Sequence, residues 1–144
     1  MKVSDLLKGK GSNVVTIRSD ATVEEAARKL KSEAIGALVV SDDGERVRGI
    51  ISERDVVRGV VDHGGQLLEM KVSDVMSPTV VTCAPDETVK AVMGQMTQHR
   101  SRHIPVIADN KLRGIISIGD IVKSRLDELE METNVLRDAY IARQ

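Results

Sequence analysis

Tyr140 is the only aromatic residue among 144, with no Trp and no Phe. A ligand held by this chain cannot be gripped by ring stacking within the body of the sequence, and the aromatic platform on which single-strand binders lay their bases is missing. The formal net charge is −1, so no basic surface invites nucleic acid or anionic lipid, and neither is expected as a partner. A single cysteine, Cys83, excludes an internal disulfide and a cysteine-based zinc site. Its place in a strand-like run, aligned with Ile17, reads as that of a small buried hydrophobe. The three histidines have no carboxylates or thiols converging at ligand spacing, so no metal is expected. No apolar run approaches the ~18 residues of a membrane span, and the N-terminus has no signal-like apolar core. Together these absences predict a soluble, cytoplasmic chain without a membrane partner.

The chain does hold two copies of one pattern. Lys2-Val3-Ser4-Asp5-Leu6-Leu7 returns as Lys71-Val72-Ser73-Asp74-Val75-Met76, Val14-Val15-Thr16 as Val80-Val81-Thr82, and Asp20-x-Thr22-Val23 as Asp86-x-Thr88-Val89. Gly49-Ile-Ile-Ser-Glu-Arg-Asp55 is matched by Gly114-Ile-Ile-Ser-Ile-Gly-Asp120. Self-similarity in constant order marks a duplicated unit. Each copy reads as a short helical lead, a strand (VVTI or VVTC), and a helix opened by Thr22 with Glu25 at capping-box spacing, or by Thr88. Val23, Ala26, Ala27 and Leu30 stripe the first of these helices, and Val89, Val92, Met93 and Met96 the second. Two strands around a polar turn follow, and then a helix starting near Ser52 or Ser117. The order β-α-β-β-α, twice, predicts an α+β fold of two pseudo-symmetric units packed as one module, because either unit alone would be marginal in size. The expected divisions are 2–62 for the first unit, 63–70 for a linker around His63-Gly64-Gly65-Gln66, and 71–125 for the second. A helical extension is expected over 120–143.

That extension carries a heptad. Val122, Leu126, Leu129, Thr133, Leu136 and Tyr140 step by four and three in turn. A single long helix of this kind needs a partner: a second copy of the chain, its own chain, or a different protein.

The repeated phrase has two chemical readings. A serine at a helix start caps a free backbone N–H, and an aspartate in the first turn is favoured by the helix dipole. By this reading Ser52, Ser117, Asp55 and Asp120 are structural. By the other, the same helix N-terminus is an anion site. The serine adds a contact to phosphate and the aspartate accepts hydrogen bonds from a ribose diol, while the glycine allows close backbone approach. Gly9-Lys10-Gly11 is too short for a phosphate loop and reads as a turn.

The duplicated unit with its G-h-h-S-x-x-D phrase resembles a pair of cystathionine β-synthase (CBS) domains, the Bateman module. SERDVVR, MSPTVVTC, HRSRHIPVI and SIGDIVKSRLDELE resemble small stand-alone bacterial CBS-pair proteins in particular. The resemblance implies a non-catalytic regulatory module binding adenosyl ligands in clefts that mix the two copies. It implies one cleft with Thr79, Val80, Ser101, Arg102, His103, Ser52, Arg54 and Asp55, and another with Ser12, Val14, Ile35, Gly36, Ala37, Ser117 and Asp120. The resemblance further implies that aliphatic side chains sandwich the base and main-chain groups read it, which the absence of aromatics fits.

The two clefts differ in charge. Arg54, Arg102 and His103, with His99 and Arg100 nearby, give the first a cationic cluster suited to phosphate. The matching positions of the second are Gly119, Gly36 and Ala37. The first is therefore expected to take a nucleotide phosphate, AMP or ATP rather than an uncharged adenosyl compound, as a regulatory ligand with no catalytic cofactor. No nucleophile with its base and no carboxylate pair stands at a spacing that implies an enzyme. Three classes remain: a nucleotide-sensing homodimer acting on an unidentified regulated protein, an adaptor working through its tail helix without ligand, and a nucleic-acid binder disfavoured by charge and composition.

Overall fold

Each copy begins with a lysine whose backbone N–H is tied down by an aspartate three residues on, Lys2 to Asp5 at 2.9 Å and Lys71 to Asp74 at 3.4 Å. This closes the first turn of a short helix. In the computed structural model, which describes residues 1–11 and 13–142, these leads are α1 (Val3–Lys10) and α4 (Val72–Val75). Thr22 and Thr88 cap the next helices, α2 (Val23–Glu33) and α5 (Val89–His99), by accepting from Glu25 N–H at 3.2 Å and Ala91 N–H at 3.1 Å. Val23, Ala26 and Leu30 of one stripe and Val92 and Met96 of the other are buried, whereas Met93 is exposed.

Strands β1 (Thr16–Ile17), β2 (Ala37–Val40) and β3 (Gly49–Ser52) form one sheet in the order β1-β2-β3, β1 parallel to β2 and β2 antiparallel to β3. The second sheet is the antiparallel pair β4 (His103–Ala108) and β5 (Lys111–Ser117), joined at Asp109-Asn110. Both turn residues have positive φ, 53° and 61°, the conformation that Asp and Asn tolerate in a primed hairpin turn. The expected strand VVTC is absent and survives as a single parallel bridge, Cys83 to Val106. Pro105 stands where Val39 pairs with Thr16 in the first unit, and a proline has no N–H to give an incoming strand. Helix α3 (Glu53–His63) follows β3, and α6 (Ile118–Ala142) follows β5. Residues 64–69 form a 3-10 segment with Leu67 buried against Gly59, where a Cβ would lie 2.5 Å from Leu67 Cδ1.

The lead helices are exchanged between the two units. Val3 and Leu6 of α1 lie in the core of Cys83, Val92, Met96, Ile104, Val106, Ile116 and Ile121. Val72 of α4 lies in the core of Ile17, Ala26, Leu30, Leu38, Val40 and Ile51, with Val75 and Met76 packed beside it. Reciprocal main-chain bonds fix the exchange: Val3 N–H to Glu87 carbonyl and Val89 N–H to Met1 carbonyl on one side, Val72 N–H to Ala21 carbonyl and Val23 N–H to Met70 carbonyl on the other. Full burial of a valine or leucine contributes about 1.5–3 kcal/mol, so each unit draws part of its stability from the other copy's first residues.

The exchange also explains the repeated glycine. A Cβ on Gly114 would lie 2.5 Å from Leu7 Cδ2, and one on Gly49 would lie 2.6 Å from Met76 Sδ and 2.9 Å from the Ser77 carbonyl. The close approach is made by the exchanged lead and not by a ligand, which corrects the reading of the phrase given above. The Gly9-Lys10-Gly11 turn is corrected as well: Gly9 and Lys10 belong to the last turn of α1, and Gly11 caps it at φ 94°.

Candidate functional site

After α4 the chain pairs Ser77 with Ile50 at the edge of the first sheet, then crosses to meet the second sheet at Cys83. Thr79 and Val80 ride on this crossing. They form one wall of a cleft of about 610 Å³ whose other walls are the start of α3 and the turn before β4. All eight residues of the first expected cleft, Ser52, Arg54, Asp55, Thr79, Val80, Ser101, Arg102 and His103, line it. Residues from both copies meet because the crossing segment joins them.

The N-terminus of α3 sits at the cleft floor. Ser52 Oγ accepts from Asp55 N–H at 3.3 Å, while Asp55 Oδ2 accepts from Ser52 N–H at 2.8 Å and from Ser52 Oγ at 3.0 Å. The phrase is thus a reciprocal capping box. Asp55 Oδ1 accepts only a longer bond, from Ser77 Oγ at 3.3 Å, and keeps acceptor capacity toward the cleft. Capping and an available carboxylate oxygen coexist in one side chain.

Four guanidinium groups, Arg54, Arg58, Arg100 and Arg102, line the same cleft against two carboxylates, Glu53 and Asp55. None of the four is in an ion pair among the described residues. Arg58 was not among the expected residues, although it stands four positions after Arg54 and so on the same helix face. Ser77 and Glu53 were missed too. His103 is half-buried and packs over Gly36, where a Cβ would lie 3.2 Å from its ring. Burial, then the Lys10 and Arg102 charges, hold its imidazole below the ordinary histidine value against the opposite pull of Asp120 and Glu53.

The second expected cleft is assembled differently. Gly36 and Ala37, assigned to it from the repeat, line the first cleft, because β2 and β4 begin side by side there. Ile35 packs against the first core, Val14 is half-buried, and Ser12 lies outside the described residues. Ser117 Oγ caps α6 by accepting from Asp120 N–H at 3.1 Å, and Asp120 Oδ2 accepts from Ser117 N–H at 2.8 Å. Lys10 Nζ then reaches Asp120 Oδ2 at 2.6 Å and the Ile115 carbonyl at 2.7 Å. Burial alone would raise the Asp120 carboxyl, but the Lys10 ammonium and the Ser117 donors outweigh it and hold it below the usual carboxylate value. Nothing in the repeat signals this contact, since Lys10 comes from the exchanged lead of the other copy.

Outside the clefts, Cys83 is buried, and burial followed by the Glu87 charge pushes its thiol up to about 12. Among the described residues no helix is long and apolar enough to cross a membrane.

Two like units with exchanged lead helices, and a cleft built from both at a capped helix start, define a paired-repeat module. The chain belongs to the CBS domain family, whose model matches residues 3–62 and 72–127. It is 37% identical to the mitochondrial CBS domain-containing protein CBSX3 of Arabidopsis thaliana over 96% of this chain and 71% of that one. It resembles the crystal structure of the CBS-domain protein ATU1752 of Agrobacterium tumefaciens with TM-score 0.84 and 46% identity, covering 87% of this chain and 99% of that one. It also resembles the CBS domain pair of protein MJ0100, solved with 5′-methylthioadenosine and S-adenosyl-L-methionine, with TM-score 0.77 and 26% identity over 90% and 98% of the two chains.

Proposed function

We propose that this protein is a non-catalytic sensor that binds an adenine nucleotide, AMP or ATP, in the Ser52/Asp55 cleft and signals through a homodimer. The observation that carries the reading is the convergence of Arg54, Arg58, Arg100 and Arg102, none of them in an ion pair among the described residues, on the N-terminus of α3. Unpaired guanidinium groups beside a helix start provide forked donors and positive potential for phosphate oxygens. On this reading Asp55 Oδ1 would accept from a ribose hydroxyl, and the adenine would lie against Val80 and main-chain groups of the 101–103 turn. The adenosyl ligands of the MJ0100 pair support the ligand class. The arginines argue for a phosphorylated member of it.

Isothermal titration with AMP, ADP and ATP on the native chain, Asp55→Ala and Asp120→Ala tests the assignment. Asp55→Ala is expected to weaken binding roughly 10- to 100-fold, the worth of hydrogen bonds to a charged group, and Asp120→Ala to leave it within a few-fold. Equal losses from the two changes would refute the asymmetry. A second reading, an adaptor acting through α6 without ligand, is favoured by the exposed seam of that helix. It predicts no rise in the melting midpoint with any adenosyl compound, because only a ligand of the native state raises it.

A further inference from the structure

The module covers only the start of α6. Ile121 is its one buried residue, with Ser124 and Glu128 half-buried along the same face, and every residue from Leu129 to Ala142 is exposed. The heptad positions lie about a third of a turn round the helix from that face, at 100° per residue. Val122, Leu126, Leu129, Leu136 and Tyr140 are between 44% and 71% exposed. Thr133, the polar member of the seam, donates its hydroxyl to the Leu129 carbonyl at 2.9 Å and asks nothing of a partner. A free helical segment of this length is marginal in water, so the seam needs a cover.

Charge on the flanks selects the cover. With Val122, Leu129 and Leu136 at the d positions, Arg125 and Glu132 fall at g, and Glu130 and Arg137 at e. We infer that two copies of this chain pair their α6 helices parallel and in register, Arg125 beside the partner's Glu130 and Glu132 beside the partner's Arg137. Two-fold symmetry repeats both contacts, so all four flanking pairs are of opposite sign. The reversed pairing over the same seam is centred at Met131 and crowds Glu130 and Glu132 of both chains at the midpoint. The packed length from Val122 to Tyr140 is about 27 Å at 1.5 Å per residue. The first unit repeats the start of the stripe: Val57 and Val61 follow Ser52 as Val122 and Leu126 follow Ser117, and both are exposed. This inference gives orientation and contacts to the homodimer proposed above, and it is read without ligand, so its failure and that of nucleotide binding are separable.

Cross-linking of the full chain tests it. Cys83 is 4% exposed, so the native chain should not cross-link under mild oxidation, whereas Leu136→Cys should give a covalent dimer at once because d positions face themselves in a parallel pair. In the reversed pair Leu136 faces the partner's Leu126. There Leu136→Cys alone would stay uncoupled, and a mixture of Leu126→Cys and Leu136→Cys chains would cross-link, which overturns the orientation. By sedimentation, Glu130→Arg should weaken dimerisation on the order of tenfold, and adding Arg125→Glu should restore it. A native chain that sediments as a monomer at all concentrations, with calorimetric nucleotide binding intact, overturns the pairing alone.

Discussion

Lys10 and Asp120 are joined at 2.6 Å where the repeat leads one to expect the second cleft, a contact for which the first cleft has no equivalent ion pair among the described residues. The carboxylate that the repeat offers to a ribose is occupied by an ammonium from the far end of the chain. Lys10→Ala should therefore free it. The pair is partly solvated, so its loss should cost no more than about 1 kcal/mol of stability, while the calorimetric stoichiometry for an adenosyl ligand should rise from one toward two per chain. An unchanged stoichiometry would show that Lys10 is not what keeps the second cleft closed.

Gly49 and Gly114 should respond unequally to alanine. Overpacking costs about 1–3 kcal/mol, and Gly49→Ala should lie at the upper end because its Cβ would meet the Ser77 carbonyl as well as Met76 Sδ. At Gly114 the obstacle is the mobile end of Leu7. Leu7→Ala combined with Gly114→Ala should be more stable than the sum of the two single losses, a coupling that chemical denaturation would measure. Additive losses would mean that the two residues do not meet.

These glycines mark the limit of what the sequence discloses. The duplication, the two capping phrases and the α2 and α5 stripes are legible because each depends on spacing within one copy, whereas the first cleft's eight residues, drawn from both copies, are legible only through the resemblance to CBS pairs. The exchange of α1 and α4 is not. An apolar Val3 and Leu6 look the same packed on either sheet, so by sequence the glycine points to a ligand and Lys10 to a turn. The missing strand at 80–83 was hidden for a related reason: the obstacle, Pro105, lies on the neighbouring strand. Arg58 could have been found by helical spacing from Arg54. Ser12 of the second expected cleft and residue 143, the last of the expected helical extension, fall outside the described residues.

Leu6→Ala offers a direct reading of the exchange. Removing a buried leucine costs about 2–5 kcal/mol, and the loss should appear first in the unit to which Leu6 does not belong by sequence. Amide hydrogen exchange should quicken in β4, β5 and α5 before it does in β1, β2 and β3. Faster exchange confined to the first sheet would contradict the packing.

His103 should make stability fall on mild acidification. Its folded value lies below the ordinary 6.5, so the unfolded chain binds the proton more readily, and stability present above pH 6.5 is lost as pH falls through the folded value. The melting midpoint of the native chain should drop between pH 7.5 and 5.5, and His103→Gln should flatten that slope. An identical slope in the variant would assign the effect to other groups.

The exchange of the lead helices bears on how such a chain could arise. A single ancestral copy packed as these units are would have completed its core with the first turn of a twin. Gene fusion would then have turned a trade between molecules into one within a molecule, with residues 64–70 as the tether. A cut there should leave two fragments that fold only in each other's company.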